Sequence, residues 1–294
     1  MIVQTSSLKA IAIALAQTVL LSVLMSCSKS EPMKSPEMNE SLELKVNESG
    51  SEFLKRHGDR FALVERPPGV KFYTAKWPTE APGNVVFKQG NHSFSVRSVL
   101  SVTGNDDPNF SSENILQWHV NGGISDADLI GHDDARKTFF SLLQTIRRAG
   151  WKRYYMLGEP RLTKSDAIRY ARTQLPVYGL DPDYEPTREE WMSLSNRSQW
   201  LFYADHAYLS VALSRDPGRM DIDREGAYFV EFSLVGENEQ FRKIVGPKRR
   251  ATWQASLPEE LSLLKAEREK TEHALKAQGI NIDEAYVDPP TPRF

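Results

Sequence analysis

Cysteine is almost missing from this chain: Cys27 is the only one in 294 residues. A single thiol excludes an internal disulfide, so the folded state rests on its packed core. A surplus of one charge is missing too. The 37 Lys and Arg stand against 39 Asp and Glu, for a net charge of −2, which fits poorly with nucleic acid, whose phosphates demand a basic surface. The six histidines, at positions 57, 92, 119, 132, 206 and 273, form neither an H-x-x-x-H nor an H-E-x-x-H pair. That removes the usual zinc signatures, so no metal is expected. There is no Gly-x-Ser-x-Gly, no phosphate loop and no dinucleotide glycine pattern, and no cofactor is expected. After residue 26 no apolar run approaches bilayer length.

What is present begins at the N-terminus. Lys9 is the one charge before an uncharged run, Ala10 to Met25, whose only polar residues are Gln17, Thr18 and Ser22. The run is short for a bilayer span, which needs about 20 apolar residues, and suits a cleavable signal. It closes on Leu24-Met25-Ser26-Cys27, which reads as a bacterial lipobox: residues 1–26 a signal peptide, Cys27 the new N-terminus and lipid attachment point. Each buried CH2 adds about 0.8 kcal/mol, so several palmitate-length chains hold almost permanently where one is marginal. The alternatives are an uncleaved anchor or a secretory signal cut elsewhere. Ser28, where inner-membrane lipoproteins tend to carry Asp, leans toward the outer membrane, facing the periplasm.

Residues 27–52 are rich in Ser, Glu, Lys and Pro without an aromatic residue, and read as a disordered tether. Residues 53–287 read as one α+β globular region, either a single domain or two sub-domains, and 288–294 as an extended tail. Residues 84–102 have the alternation of a hairpin. Residues 115–120 read as a strand closed by Asn121-Gly122-Gly123, and 151–157 and 227–235 as further strands. Residues 200–213 form a second hairpin about Asp205-His206. The strongest helical pattern covers 132–149, with Ala135, Phe139, Leu142, Leu143 and Ile146 on one stripe. Its first turn holds Asp133 and Asp134, its last Arg147 and Arg148, and Gly150 follows as the C-terminal stop. Helices are also expected over 163–174, with Thr163 and Asp166 as a capping-box-like pair, over 187–194, and over 258–278. The last carries Leu257, Leu261, Leu264 and Leu275 on a stripe interrupted by Arg268 and Thr271. Hairpins separated by helices predict a mostly antiparallel sheet with packed helices and a C-terminal amphipathic helix.

Several groups invite a chemical reading. His132-Asp133-Asp134 opens a helix, where carboxylates serve as caps. Asp205-His206 could supply a base and its orienting carboxylate, though no nucleophile with a recognisable frame accompanies it. Asp221-Ile-Asp223-Arg-Glu225-Gly226 imitates a calcium loop, but Phe232 stands where the bidentate Glu belongs. His119, beside Trp118 on an apolar strand, reads as a core or edge histidine. Lys248, Arg249 and Arg250 precede Trp253, a basic and aromatic cluster that could meet an acidic partner or headgroup.

The pairing of residues 131–155 with 189–213 resembles uncharacterised proteobacterial lipoproteins found beside type VI secretion effectors. The resemblance implies immunity: neutralising a lipase-type or other envelope-directed toxin by binding it in the periplasm. It carries no site residues over. The expected function is therefore a lipid-anchored periplasmic binding protein for a protein partner, not an enzyme. The alternatives are an envelope hydrolase using Asp205 and His206, or a non-catalytic scaffold.

Overall fold

The computed structural model describes residues 41–67, 69–173 and 178–292. Cys27, the signal segment and residues 28–40 of the expected tether lie outside the described residues.

In chain order the elements are β1 (Leu42–Leu44), α1 (Gly50–His57), β2 (Ala62–Arg66), β3 (Val70–Lys76), β4 (Gly83–Phe87), β5 (Phe94–Asp106), β6 (Gln117–Gly123) and β7 (Ile130–Gly131). Then come α2 (His132–Arg148), β8 (Lys152–Arg153), α3 (Lys164–Ala171), β9 (Gly179–Leu180), α4 (Arg188–Ser193), β10 (Ser198–Ala204) and β11 (Ala207–Arg215). The chain finishes with β12 (Glu225–Gly226), β13 (Tyr228–Gly236), α5 (Glu237–Val245) and α6 (Trp253–Ala277). The class is α+β, built on one large, mostly antiparallel sheet of order β1-β4-β5-β6-β13-β11-β10-β8. The long β5 shares one edge between two partners. Its first half pairs with β4 and its second half with β3, which carries β2 beyond it. β7 and β12 form a small separate ladder.

One face of the sheet holds the main core. Val85, Phe87, Val102, Trp118, Val120, Phe232, Leu234, Val211, Trp200 and Phe202 point the same way and are buried with Ala135, Phe139, Leu143 and Ile146 of α2, Phe53 of α1 and Trp191 of α4. The sequence stripe on α2 is therefore the buried one, with Leu142 at its margin. α2 ends as expected: Gly150 has φ +94°, which an L side chain tolerates poorly, and a Cβ there would meet the His92 ring at 2.5 Å. α4 has a complete capping box, in which Glu190 N donates to Thr187 Oγ1 (3.1 Å) and Thr187 N to Glu190 Oε2 (2.8 Å).

Several expectations are corrected. The tether expected over 27–52 does not extend past residue 41, because Leu42, Leu44 and Val46 are fully buried and β1 pairs in parallel with β4. Leu-Glu-Leu-Lys-Val has the two-residue period of a strand, which the polar composition around it masks. The strand expected over 151–157 is only β8, because Tyr154 and Tyr155 turn away to be buried. α3 has no side-chain cap from Thr163. Asp181 Oδ2 instead accepts from Lys164 N at 2.8 Å, Asp166 pairs with Arg169, and the helix stops at Ala171. α6 begins five residues before Pro258, because Trp253 and Leu257 are buried and their burial offsets the roughly 3 kcal/mol that an interior proline costs. Arg268 does not interrupt its stripe but belongs to it, buried and donating to Glu159 O (2.9 Å), Met156 O (2.9 Å) and Asp288 Oδ2 (2.6 Å).

Candidate functional site

Strands β6, β13, β11 and β10 lie side by side, and their alternate residues form the second face of the sheet. β6 contributes Gln117, His119 and Asn121, β13 contributes Glu231, Ser233 and Val235, β11 contributes Tyr208, Ser210 and Ala212, and β10 contributes Gln199 and Leu201. One end of this face is covered. Phe241 and Val245 of α5 and Trp253 and Leu257 of α6 pack onto Tyr154, Leu201 and Tyr208. The remainder is an open cleft of about 570 Å³, reached by Lys243 and Gln240 from α5 and by Asn196 and Arg197 from the turn before β10.

The floor of the cleft is ordered by its own hydrogen bonds. Ser210 Oγ donates to Gln199 Oε1 (3.3 Å), Asn121 Nδ2 to Ser101 Oγ (3.1 Å) and Gln117 Nε2 to Asn105 Oδ1 (2.8 Å). Lys243 Nζ donates to Gln117 Oε1 at 2.6 Å. Arg197 Nη2 and Ser214 Oγ hold Glu231 at 3.3 and 3.4 Å. Desolvation in the concavity, with Arg250 adding to it and Glu239 opposing, lowers the Lys243 pKa. Desolvation and then Lys243 lower that of His119, with Glu231 opposing. The arrangement is a preformed set of donors and acceptors, with the pKa of Lys243 lowered and that of His119 lowered toward the neutral imidazole.

A second cleft of about 350 Å³ lies between the loop after β6 and the ends of β11 and β13, lined by Leu100, Phe229 and Pro82 with Asp126, Asp128 and Asp216. Ser98 sits there with φ 57°, its Oγ donating to Asp126 Oδ1 at 2.5 Å. Its one cation, Arg215, is spent on the carbonyls of Trp191 and Leu194.

The residues singled out from the sequence are dispersed. Asp205 and His206 occupy the two-residue turn between β10 and β11 with φ 43° and 58°, the geometry of a type I′ hairpin. They do not meet as a dyad. Gln89 Nε2 donates to Asp205 O (2.8 Å), while His206 Nδ1 pairs with Glu237 Oε2 (3.0 Å), and neither lines the clefts above. Of the basic cluster, Arg249 pairs with Glu259 and Glu260, Arg250 with Glu239 and Asp107, and Trp253 is buried. Lys248 alone stays on the surface as expected. The two arginines of this cluster are thus engaged within the fold.

His132 is not a cap residue: Gly131 takes that position, and the His132 side chain is buried. Its Nε2 donates to Asp221 O (3.0 Å), leaving Nδ1 to accept from the Tyr228 hydroxyl. Asp133 pairs with Arg136 and Lys137, whose hydrogen bonds lower its pKa to about 2. Asp221 and Asp223 form local turn bonds, and among the described residues no cluster of His, Cys, Asp or Glu could hold a metal ion.

His119 is neither core nor edge, since β6 is central and the ring faces the open cleft. Sequence reasoning missed α5 and with it Lys243. The signal was there: Glu237 and Glu239 in a first turn, Phe241 and Val245 four apart, Arg242 and Lys243 in a last turn, then Gly246. Compared with known proteins, the chain matches no family model, no characterised protein and no solved structure.

Proposed function

We propose that this is a lipid-anchored binding protein of the bacterial envelope that neutralises a protein partner, in the manner of an immunity protein against a secreted, envelope-directed toxin. The observation that carries the reading is Leu24-Met25-Ser26-Cys27 behind an uncharged run. The open cleft supports it. It offers amides, hydroxyls and charges already oriented by their neighbours, so a partner would meet a preformed surface. His206 is paired with Glu237 on an exposed turn rather than with Asp205 in a cleft, which weighs against the hydrolase alternative.

The test has two arms. Mass spectrometry of membrane-extracted protein should find an acylated N-terminus at Cys27 and an unprocessed precursor for Cys27→Ser; an unmodified chain beginning elsewhere would end the anchoring proposal. Survival of cells making a neighbouring toxin in the periplasm should depend on this protein. It should persist when Asp205→Asn and His206→Gln are combined, whereas an enzyme relying on that pair would lose about 10²–10⁴-fold. Failure of every neighbouring gene product to bind would favour a scaffold instead.

A further inference from the structure

β2 sits at the margin of the main sheet. Among the described residues it pairs with β3 alone, in unbroken register from Ala62 opposite Thr74 to Arg66 opposite Val70. All five of its residues are exposed, Leu63 at 46% and Val64 at 38%, so apolar side chains meet solvent on both faces of the strand. Natural edge strands are blunted by a proline, a bulge or an inward-pointing charge. Ala62-Leu63-Val64-Glu65-Arg66 has no proline and no bulge, and its two charges lie together at one end. The turn that follows shows which backbone groups face outward. Gly69 N donates to Arg66 O (2.7 Å), which aims the Arg66 carbonyl toward β3. Alternate residues of an antiparallel ladder turn opposite ways. Val64 therefore faces β3 as Arg66 does, while Leu63 and Glu65 turn their N–H and C=O groups away from the sheet. An edge of this kind accepts an extended strand.

We propose that β2 pairs with β2 of a second copy of this chain, antiparallel and with Val64 on the two-fold axis, so that two sheets join into one. Charge decides between the possible registers. With Val64 on the axis, Leu63 lies opposite the partner's Glu65 and Ala62 opposite the partner's Arg66, and no like charges meet. Moving the axis to Glu65 sets that residue against the partner's Glu65. Moving it to Leu63 sets Arg60 against the partner's Arg66. Like charges directly opposite are destabilising. The same register suits the backbone, because Leu63 and the partner's Glu65 exchange the N–H and C=O groups that both turn outward. Val64 stands opposite Phe72 within its own ladder, so one face of the joint gains an apolar row from Phe72 and Val64 to the partner's Val64 and the partner's Phe72. On the other face Glu65 keeps Lys71 of β3 beside it. The chain's own segment ahead of residue 41 suits the edge less, since Pro32 and Pro36 lack the N–H groups a ladder needs. The inference is independent of the function proposed above. The open cleft begins at β6, beyond β3 and β5, so both copies keep it free.

The experiment uses the full chain in detergent, with micelles in large excess, and reads sedimentation and amide exchange. The chain should pass from monomer to dimer as its concentration rises through the micromolar range, and exchange at the Leu63 and Glu65 amides should slow with it. Val64→Lys and Val64→Glu should each weaken the dimer about tenfold or more, since each sets like charges face to face across the axis. Mixing the two variants should restore it. Their melting midpoints, measured dilute, should match the parent's, because the Val64 side chain is exposed. A chain that stays monomeric would overturn the proposal. So would a dimer that both variants leave intact, which would lie on another surface, and so would a mixture as weak as its components. Protection of Leu63 and Glu65 at every concentration would place the chain's own N-terminal segment on the edge. Protection only on adding a neighbouring gene product would place a foreign strand there. Either outcome overturns the pairing of two copies.

Discussion

On one face of the sheet the Phe139 ring packs at a tilt, its centroid 4.6 Å from that of Trp200 and 5.9 Å from that of Trp191, and scarcely a charge intrudes. On the other face the helical cover is joined by ions. Arg242 of α5 is fully buried between Glu113 and Glu239, lies 3.9 Å over the Phe110 ring, and is linked through Glu239 to Arg250 and Asp107. The difference teaches where each face gets its uniqueness. Aromatic side chains fill a volume and gain from any apolar neighbour. A buried guanidinium gains only from carboxylates in the right places, and is costly anywhere else. The first face is secured by packing, while the second is set in register by a network that covers half of it and leaves the cleft open.

Cutting into the packed face should have the largest effect. Phe139→Ala should cost about 3–5 kcal/mol, read as a fall in the urea midpoint with little change in slope. On the other face Arg242→Met should cost about 3 kcal/mol, because it strands Glu113 and leaves Glu239 with Arg250 alone. Replacing Arg242, Glu113 and Glu239 together by apolar residues should recover most of that. If the triple variant is no better than the single one, the network is not what limits this face.

A third test uses pH. Glu159 is half-buried with Oε2 unpartnered, and desolvation raises its pKa to about 7. The folded state therefore keeps a proton that the unfolded state releases near its ordinary value of about 4.3. Stability should fall as pH rises from about 4.5 to about 7, by about 2 kcal/mol, and Glu159→Gln should flatten that slope. The smallest effect belongs to the exposed side of α2. Lys137→Ala removes only a surface pair with Asp133 and should move stability by less than about 0.5 kcal/mol. Equal midpoint shifts for Phe139→Ala and Lys137→Ala would undo the assignment of faces.

The packed face was the legible one. Its hairpins and α2 announce themselves by alternation and by the spacing of Phe139, Leu143 and Ile146, because apolar burial obeys the period of the element. The ionic side is much less so. Arg268 looks like a break in a leucine stripe, yet it is the buried residue that ties α6 to Met156, Glu159 and Asp288. Arg249 and Arg250 look like a free basic patch because their carboxylates, from Asp107 to Glu260, are scattered along the chain. The candidate cleft is assembled from four strands and a helix, so no single stretch contains it. His119, the member singled out from the sequence, read as a core or edge residue because its neighbour Trp118 is a core one.

β1 has a consequence in terms of force. A chain held at its N-terminus transmits any drag on the folded part as tension through the segment ahead of residue 41. That load enters at Leu42 and Leu44, side chains sunk in the core, and passes on through Lys88 N to Leu44 O (2.8 Å) and Asn47 N to Ile115 O (2.7 Å). Under such a load the body would be gripped by an edge strand rather than a surface loop. β1 would be the first element to peel, baring Val85 and Phe87 while leaving the open cleft, on strands farther across the sheet, undisturbed.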